Sequence, residues 1–253
     1  MQSGAPTSER CRLDEMLVRR GAFATRSRAR DAVERGTVKV DGRVAAKPGQ
    51  SVAATAAIEI DDPARRYVSR AALKLVAGLD HFGLDPAGSR ALDIGASTGG
   101  FTQVLLERGA AHVTAIDVGH GQLDAALAGD PRVTAIEGLN ARDLDAAHLT
   151  APIDFIVSDV SFISLKLALP RALDLAAQGA RGIFLVKPQF EAGRAAIGKG
   201  GLLRNPADGP RVVEALHAWL DGFPGWRALG FCSSPIAGGD GNGEFLLAGI
   251  KDR

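Results

Sequence analysis

At 253 residues, with 46% hydrophobic and 23% charged side chains, the chain has globular composition and room for one large domain or a large and a small one. The first ten residues, MQSGAPTSER, carry no apolar core and no run of 18 apolar residues follows, so the expectation is a cytoplasmic protein without a leader or a membrane span. Cys11 and Cys232 stand alone without a CxxC, which argues against a disulfide framework and against a bound metal. The net charge of +1 hides an asymmetry. Residues 1–75 carry 15 Lys and Arg against 9 Asp and Glu, a net +6, whereas residues 76–253 carry 15 against 20, a net −5. A basic module on an acidic body suits a polyanionic partner, although a merely solvated basic surface gives the same count.

In chain order, Arg12 to Arg20 reads as a short helix with Leu13, Met16 and Leu17 on one face and Gly21 as its stop. Ser27 is the expected cap of a second helix that carries Ala29, Ala32 and Val33 and ends at Gly36. The period then changes to two. Val38, Val40 and Val44 around Asp41-Gly42 predict a hairpin, and Pro48-Gly49 precedes a strand at Ile58-Glu59-Ile60. Residues 10–60 thus form a small α+β unit, and 61–66, opening with Asp-Asp-Pro, read as a linker.

From 67 to 253 strands and helices alternate. Ala91–Ile94, Val113–Asp117, Val133–Ile136, Ile153–Asp159 and Gly182–Lys187 are the expected strands, and such alternation implies an α/β fold with a doubly wound, mostly parallel sheet. Leu229–Cys232 and Glu244–Ile250 are expected to form an antiparallel edge.

The loop after the first of these strands carries the most information. Ala91-Leu-Asp93-Ile-Gly95-Ala96-Ser97-Thr98-Gly99-Gly100-Phe101 places glycines where a tight turn opens a helix and lets backbone approach a ligand. Asp117 ends the next strand, where an acid accepts the hydroxyls of a ribose. The pair points to an adenosine-type cofactor. The loop lacks the G-x-G-x-x-G spacing of nicotinamide enzymes, and Asp93 would repel a pyrophosphate. An acid there suits a cationic cofactor such as S-adenosylmethionine, with its ammonium and sulfonium. Gly95-Ala-Ser97-Thr-Gly99 also satisfies the G-x-S-x-G nucleophile elbow, but His112 and His120 come too early for a hydrolase triad and no HGGG-type loop precedes it.

Four polar residues fall at element ends that meet the ligand crevice of such folds. They are Lys74 in Tyr67-Val-Ser-Arg-Ala-Ala-Leu-Lys74, Asp159 in Ile156-Val-Ser-Asp159, Lys187 in Phe184-Leu-Val-Lys187, and Glu244 in Gly241-Asn-Gly-Glu244. Each has an ordinary structural explanation: a solvated helix lysine, a turn cap, a snorkelling lysine and a surface strand residue. A lysine that closes an apolar strand is nonetheless unusual, because its charge must be paired or solvated.

In these motifs the catalytic half resembles the FtsJ/RrmJ type of ribose 2′-O-methyltransferase, whose Lys-Asp-Lys-Glu tetrad matches Lys74, Asp159, Lys187 and Glu244 in order. The N-terminal half resembles the αL-type RNA-binding domain of a small-subunit ribosomal protein and of pseudouridine synthases. The fusion resembles the TlyA family, sometimes labelled hemolysin A, through DIGASTGGFTQVLLERGA, DVGHGQL, VKPQFEAGR and GNGEFLL. The resemblance implies a Rossmann-like methyltransferase using S-adenosylmethionine on a cytidine ribose of ribosomal RNA, with RNA or a ribosomal subunit as partner. It implies a cofactor lying on Asp93, Gly95, Ala96, Ser97, Thr98, Gly99, Gly100 and Phe101, with Asp117, Asn140 and Asp159 completing its site. Arg12, Arg19, Arg20, Arg26, Arg28, Lys39, Arg43 and Lys47 of the basic module are the candidates to face phosphates. Ala71-Ala72 departs from the Gly-Gly of many relatives. The chain runs six residues past Leu247, like the family's shorter type, which implies the large subunit as substrate. The rivals are an RNA-binding protein with a silent methyltransferase fold and a membrane-lytic protein, for which no long basic amphipathic helix is visible.

Overall fold

A computed structural model describes residues 10–252, which divide between Arg66 and Tyr67 into two compact units. The first contains β1 (Arg10–Arg12), α1 (Leu13–Arg19), α2 (Arg26–Glu34), β2 (Val38–Val40), β3 (Arg43–Val44), β4 (Ser51–Ala53) and β5 (Ile58–Ile60). Leu13, Met16 and Leu17 of α1 and Ala29, Ala32 and Val33 of α2 share one core with Phe23, Val38 and Val52. Asp41 and Gly42 both have positive φ, 49° and 78°, as a two-residue turn between twisted strands requires. β2 lies between β3 and β5 in one antiparallel sheet.

Sequence and structure differ here at three points. β1 and β4 pair antiparallel, yet Arg-Cys-Arg and Ser-Val-Ala are too short to display a period of two. The cap of α2 is Thr25 rather than Ser27: Thr25 is extended (φ −139°, ψ 155°) and its hydroxyl accepts from the Arg28 amide, which leaves Ser27 inside the first turn. Residues 61–66 are held to this unit, since Arg35 grips Asp62 with two hydrogen bonds of 2.8 and 2.9 Å and Pro63–Arg66 forms a 3-10 turn.

The second unit contains α3 (Ala72–Phe82), β6 (Arg90–Ile94), α4 (Gly100–Glu107), β7 (His112–Asp117), α5 (Ala125–Ala128), β8 (Val133–Glu137), β9 (Ile153–Ser158), α6 (Leu165–Ala168), α7 (Pro170–Leu175), β10 (Ala176–Val186), α8 (Pro188–Glu191), α9 (Asp208–Asp221), β11 (Trp226–Ser233) and β12 (Phe245–Lys251). Its seven-stranded sheet has the order β11-β12-β10-β9-β6-β7-β8. β6 to β10 pair parallel, and β12 is antiparallel to both of its neighbours. β11 and β12 thus form the expected antiparallel edge of the sheet, with the last strand inserted between β10 and β11.

Both faces of the sheet are covered. Leu75 and Leu79 of α3 pack with Phe101, Val104 and Leu105 of α4 on one face. Leu165, Leu169, Leu173, Val213, Leu216 and Leu220 cover the other. Along β6 the sides alternate, Ala91 facing the first layer and Leu92 and Ile94 the second. Strand order reverses at β6, which lies between β7 and β9, and the carboxyl ends of strands at such a reversal open a crevice.

Candidate active site

The turn leaving β6 is built to bring backbone close. Gly95 and Gly99 have φ of 80° and 95°, and a Cβ on Gly95 would stand 2.9 Å from the Asp159 carbonyl oxygen. A Cβ on Gly100 would stand 3.0 Å from that of Ser69, so α4 can start hard against the segment leading into α3. This also explains how Ala71 and Ala72 are accommodated: the facing residue brings no side chain. Ser97 adopts φ 48°, a strained conformation for a residue with a Cβ, and its amide donates to Asp117 Oδ2 at 2.8 Å. The Ser97 hydroxyl bonds to Gln122 at 3.1 Å rather than to a histidine, which removes the hydrolase elbow.

A cavity of about 580 Å³ lies over this turn, lined by Gly95, Ser97, Asp117, Asn140, Arg142 and Asp159 among others. Asp117 accepts from the Ser97 and Gly119 amides, so its carboxylate is fixed while it faces the cavity. Asn140 Oδ1 accepts from the amide and the guanidinium of Arg142. A smaller cavity of about 150 Å³ adjoins it, lined by Gly95, Ala96, Ser97, Thr98, Gly100, Phe101, Asp159, Ser161 and Lys187. Asp93 and Gly99 line neither.

Asp93 is fully buried beneath the turn, where Thr102 donates to Oδ2 at 2.7 Å and Oδ1 has no partner. Burial pushes its carboxyl up to about 7, against the pull of Thr102 and with a further push from Asp159. A carboxyl that keeps its proton to about 7 when folded, but releases it near 3.8 when unfolded, makes stability fall as pH rises across that window. Urea midpoints at pH 4.5 and 7.5 should therefore diverge more for wild type than for Asp93→Asn. Equal divergence would refute the elevated Asp93.

Lys74, Asp159, Lys187 and Glu244 come together as two ion pairs. Lys187 Nζ lies 2.6 Å from Asp159 Oδ1 and donates to Ser161 Oγ at 2.7 Å. Lys74 Nζ lies 2.5 Å from Glu244 Oε2, and both side chains are buried. Gly78, one turn after Lys74, explains the approach: a Cβ there would meet Ile183 Cγ2 at 3.2 Å, so α3 lies close on β10 and β12 and delivers Lys74 to the entrance of β12. Burial raises the Glu244 carboxyl above its ordinary value although Lys74 pulls it down. A third cavity, about 370 Å³, is lined by Lys187, Glu244, Ser161, Phe162, Gln189 and Asp240 with residues of the following loop. Ser161 and Lys187 thus belong to both the second and the third cavity.

Sequence reasoning passed over Ser161, Phe162, Gln189 and Asp240. Phe162 is 90% exposed, has φ 65° and lies 5.0 Å from the Phe190 ring. An aromatic just beyond the polar end of an apolar strand was the available signal.

The basic residues of the first unit divide by task. Arg12 and Arg26 both hold the buried Asp14, at 3.0 and 3.2 Å, and together keep its carboxyl low at about 2. Arg26 also reaches Glu15, and Arg20 donates to the carbonyls of Ala54 and Ala56. Arg28 is half-buried near the Ala64 carbonyl and Arg19 is exposed. Lys39, Arg43 and Lys47 are exposed on the β2–β3 hairpin and the turn beyond it.

A reversed-order parallel sheet with a glycine turn, an acid on the second strand and a cluster of two lysines and two acids at its carboxyl edge defines a Rossmann-like methyltransferase. Residues 67–251 match the model of the FtsJ-like methyltransferase and residues 11–58 that of the S4 domain. The chain belongs to the TlyA branch of the FtsJ-like methyltransferases. It is 44% identical to the 16S/23S rRNA (cytidine-2′-O)-methyltransferase TlyA of Mycobacterium tuberculosis, over 95% of this chain and 90% of that one. It is 34% identical to the 23S rRNA (cytidine-2′-O)-methyltransferase TlyA of Campylobacter jejuni, over 80% and 78%. A solved structure named as a hemolysin from Streptococcus thermophilus superposes with a TM-score of 0.75 at 38% identity, covering 97% of this chain and 90% of that one.

Proposed function

We propose that the chain transfers a methyl group from S-adenosylmethionine to the ribose 2′-oxygen of a cytidine in ribosomal RNA. The observation that carries this reading is Lys187, paired with Asp159 and lining both of the two smaller cavities. The turn and the 580 Å³ cavity fit the cofactor: the size is that of small-molecule sites, the glycines admit no side chain, and Asp117 presents a fixed carboxylate for a ribose. When bound, S-adenosylmethionine supplies a methyl group activated by a sulfonium. Asp93 acts from behind the turn as a buried carboxyl rather than as a lining residue.

The protein's own residues then do three things. They align the oxygen with the methyl, and such positioning supplies much of the rate in an in-line displacement. Lys187, oriented by Asp159 and Ser161, stabilises the negative charge that builds on the oxygen as its proton passes to water. Glu244, braced by Lys74, fronts the nucleotide side and accepts a hydrogen bond from the entering ribose. Exposed Phe162 gives the base a face to stack on, a contact worth about 1–3 kcal/mol per base.

The large subunit is common to the names of both relatives, which supports its RNA as the substrate. Purified unmodified subunits, incubated separately with labelled cofactor, should show methyl-cytidine in large-subunit RNA. Label in base atoms, or in the small subunit alone, would overturn the proposal. The hemolysin name of the Streptococcus structure finds no counterpart in a span: no helix among the described residues is long and apolar enough to cross a membrane. Calorimetry should find cofactor binding weakened by about 1–3 kcal/mol in Asp117→Ala through lost charge-assisted hydrogen bonds. Wild-type protein that binds no cofactor, with or without RNA, would remove the assignment.

A further inference from the structure

The loop after α8 closes on itself over the third cavity. Gly193, Gly200 and Gly201 all have positive φ, Ile197 bridges Leu203, and the Gly198 amide donates to the Leu202 carbonyl at 2.7 Å. Ile197, Gly200 and Gly201 form part of the cavity wall. Asn242, only 4% exposed, pins the loop: its Oδ1 accepts from the Leu203 amide at 3.0 Å, and its Nδ2 donates to the Gly201 carbonyl and to Asp240 Oδ2 at 3.0 and 2.8 Å. Asp240 also accepts from Gln189, two residues after Lys187. The loop is therefore tied to the segments that carry both Lys187 and Glu244.

Its charge runs against that of its surroundings. Residues 76–253 are net −5, yet 191–205 contain Arg194, Lys199 and Arg204 with Glu191 as the single acid. Glu191 is occupied by the Ser164 hydroxyl and the Leu165 amide, and Arg204 by the Ile197 carbonyl. Arg194 and Lys199 are exposed and meet no carboxylate among the described residues. Two unneutralised cations on a pinned loop beside a cavity of nucleotide size suit the phosphates on either side of a nucleotide seated within it.

We propose that residues 193–204 are a second RNA-binding element, carried by the catalytic unit, in which Arg194 and Lys199 grip the backbone flanking the target nucleotide. This rests on RNA being the substrate. Full-length wild-type protein and the Arg194→Ala/Lys199→Ala double variant would be titrated with a transcribed large-subunit RNA across a range of salt. Each lost phosphate contact removes about 0.7–0.9 from the logarithmic salt slope, so the variant's slope should be shallower by about 1.4–1.8. KM for RNA should rise about tenfold at moderate salt, as loss of two counterion-releasing contacts demands. Cofactor binding should stay at the wild-type value, and Arg194→Lys with Lys199→Arg should restore the slope.

An unchanged slope and KM would overturn the proposal, as would an equal loss of affinity in the charge-preserving variant. The binding slope needs no turnover. Wild-type protein that binds RNA but methylates none would sink the methyltransferase reading while the slope still decides the loop, and one that binds no RNA would sink both.

Discussion

Lys187→Ala is expected to lower turnover on ribosomal substrate by at least about a hundredfold, the range typical for loss of a donor that stabilises charge developing on the reacting oxygen. The expectation comes from its placement. Lys187 is held by Asp159 and Ser161 at 2.6 and 2.7 Å and lines both cavities that would bring methyl and hydroxyl together. Its removal leaves the wall of the 580 Å³ cavity intact, since it does not line that cavity, so calorimetry should find cofactor affinity near wild type. Asp159→Ala should match the loss of turnover and also weaken the cofactor, because Asp159 lines that cavity as well. Single-turnover measurement with labelled cofactor and purified subunits separates these outcomes. A Lys187→Ala protein with full activity would remove the lysine from the chemistry.

Deleting residues 1–66 should abolish methylation of ribosomal substrate, a loss of more than about a hundredfold, because S4-type capture of the RNA precedes positioning of one ribose. The remainder should stay folded. The break falls between two units that each have a core of their own, one built on Leu13, Leu17 and Val33 and the other on both faces of the seven-stranded sheet. The truncated protein should still melt cooperatively and bind cofactor. Full-length protein should bind ribosomal RNA with affinity that falls steeply with salt as counterions are released. Activity retained after truncation would assign RNA capture to the catalytic unit alone.

The parallel strands were legible in the sequence because each is a short apolar run closed by a polar residue, as in Ala91–Asp93 or Phe184–Lys187. The glycine turn was legible because only glycine tolerates its dihedral angles cheaply. Less legible were features that depend on neighbours. β1 and β4 become strands only by pairing with each other, and the insertion of β12 between β10 and β11 is a long-range choice invisible to periodicity. Asp93 was expected beside the cofactor because of its position at the strand end. Which face of the strand its side chain takes places it under the turn, against Thr102. Ser161 and Phe162 follow Asp159 by two and three positions, but their value depends on exposure and on where Lys187 points, and a sequence displays neither.

The insertion of β12 bears on the order in which the protein assembles. β10 and β11 are made earlier in the chain, yet neither can complete its hydrogen bonding until the last described strand slides between them. Glu244 enters with that strand, while its partner Lys74 lies 170 positions back in the sequence. Contacts so distant along the chain form late and slowly, because the intervening chain must be ordered first. The glycine turn and Asp117 belong to the parallel part of the sheet, β6 to β10, which pairs without the last strand, whereas the Lys74–Glu244 pair exists only once β12 is in place. The part of the site proposed for the methyl donor and the part proposed for its use thus rest on different stretches of the chain.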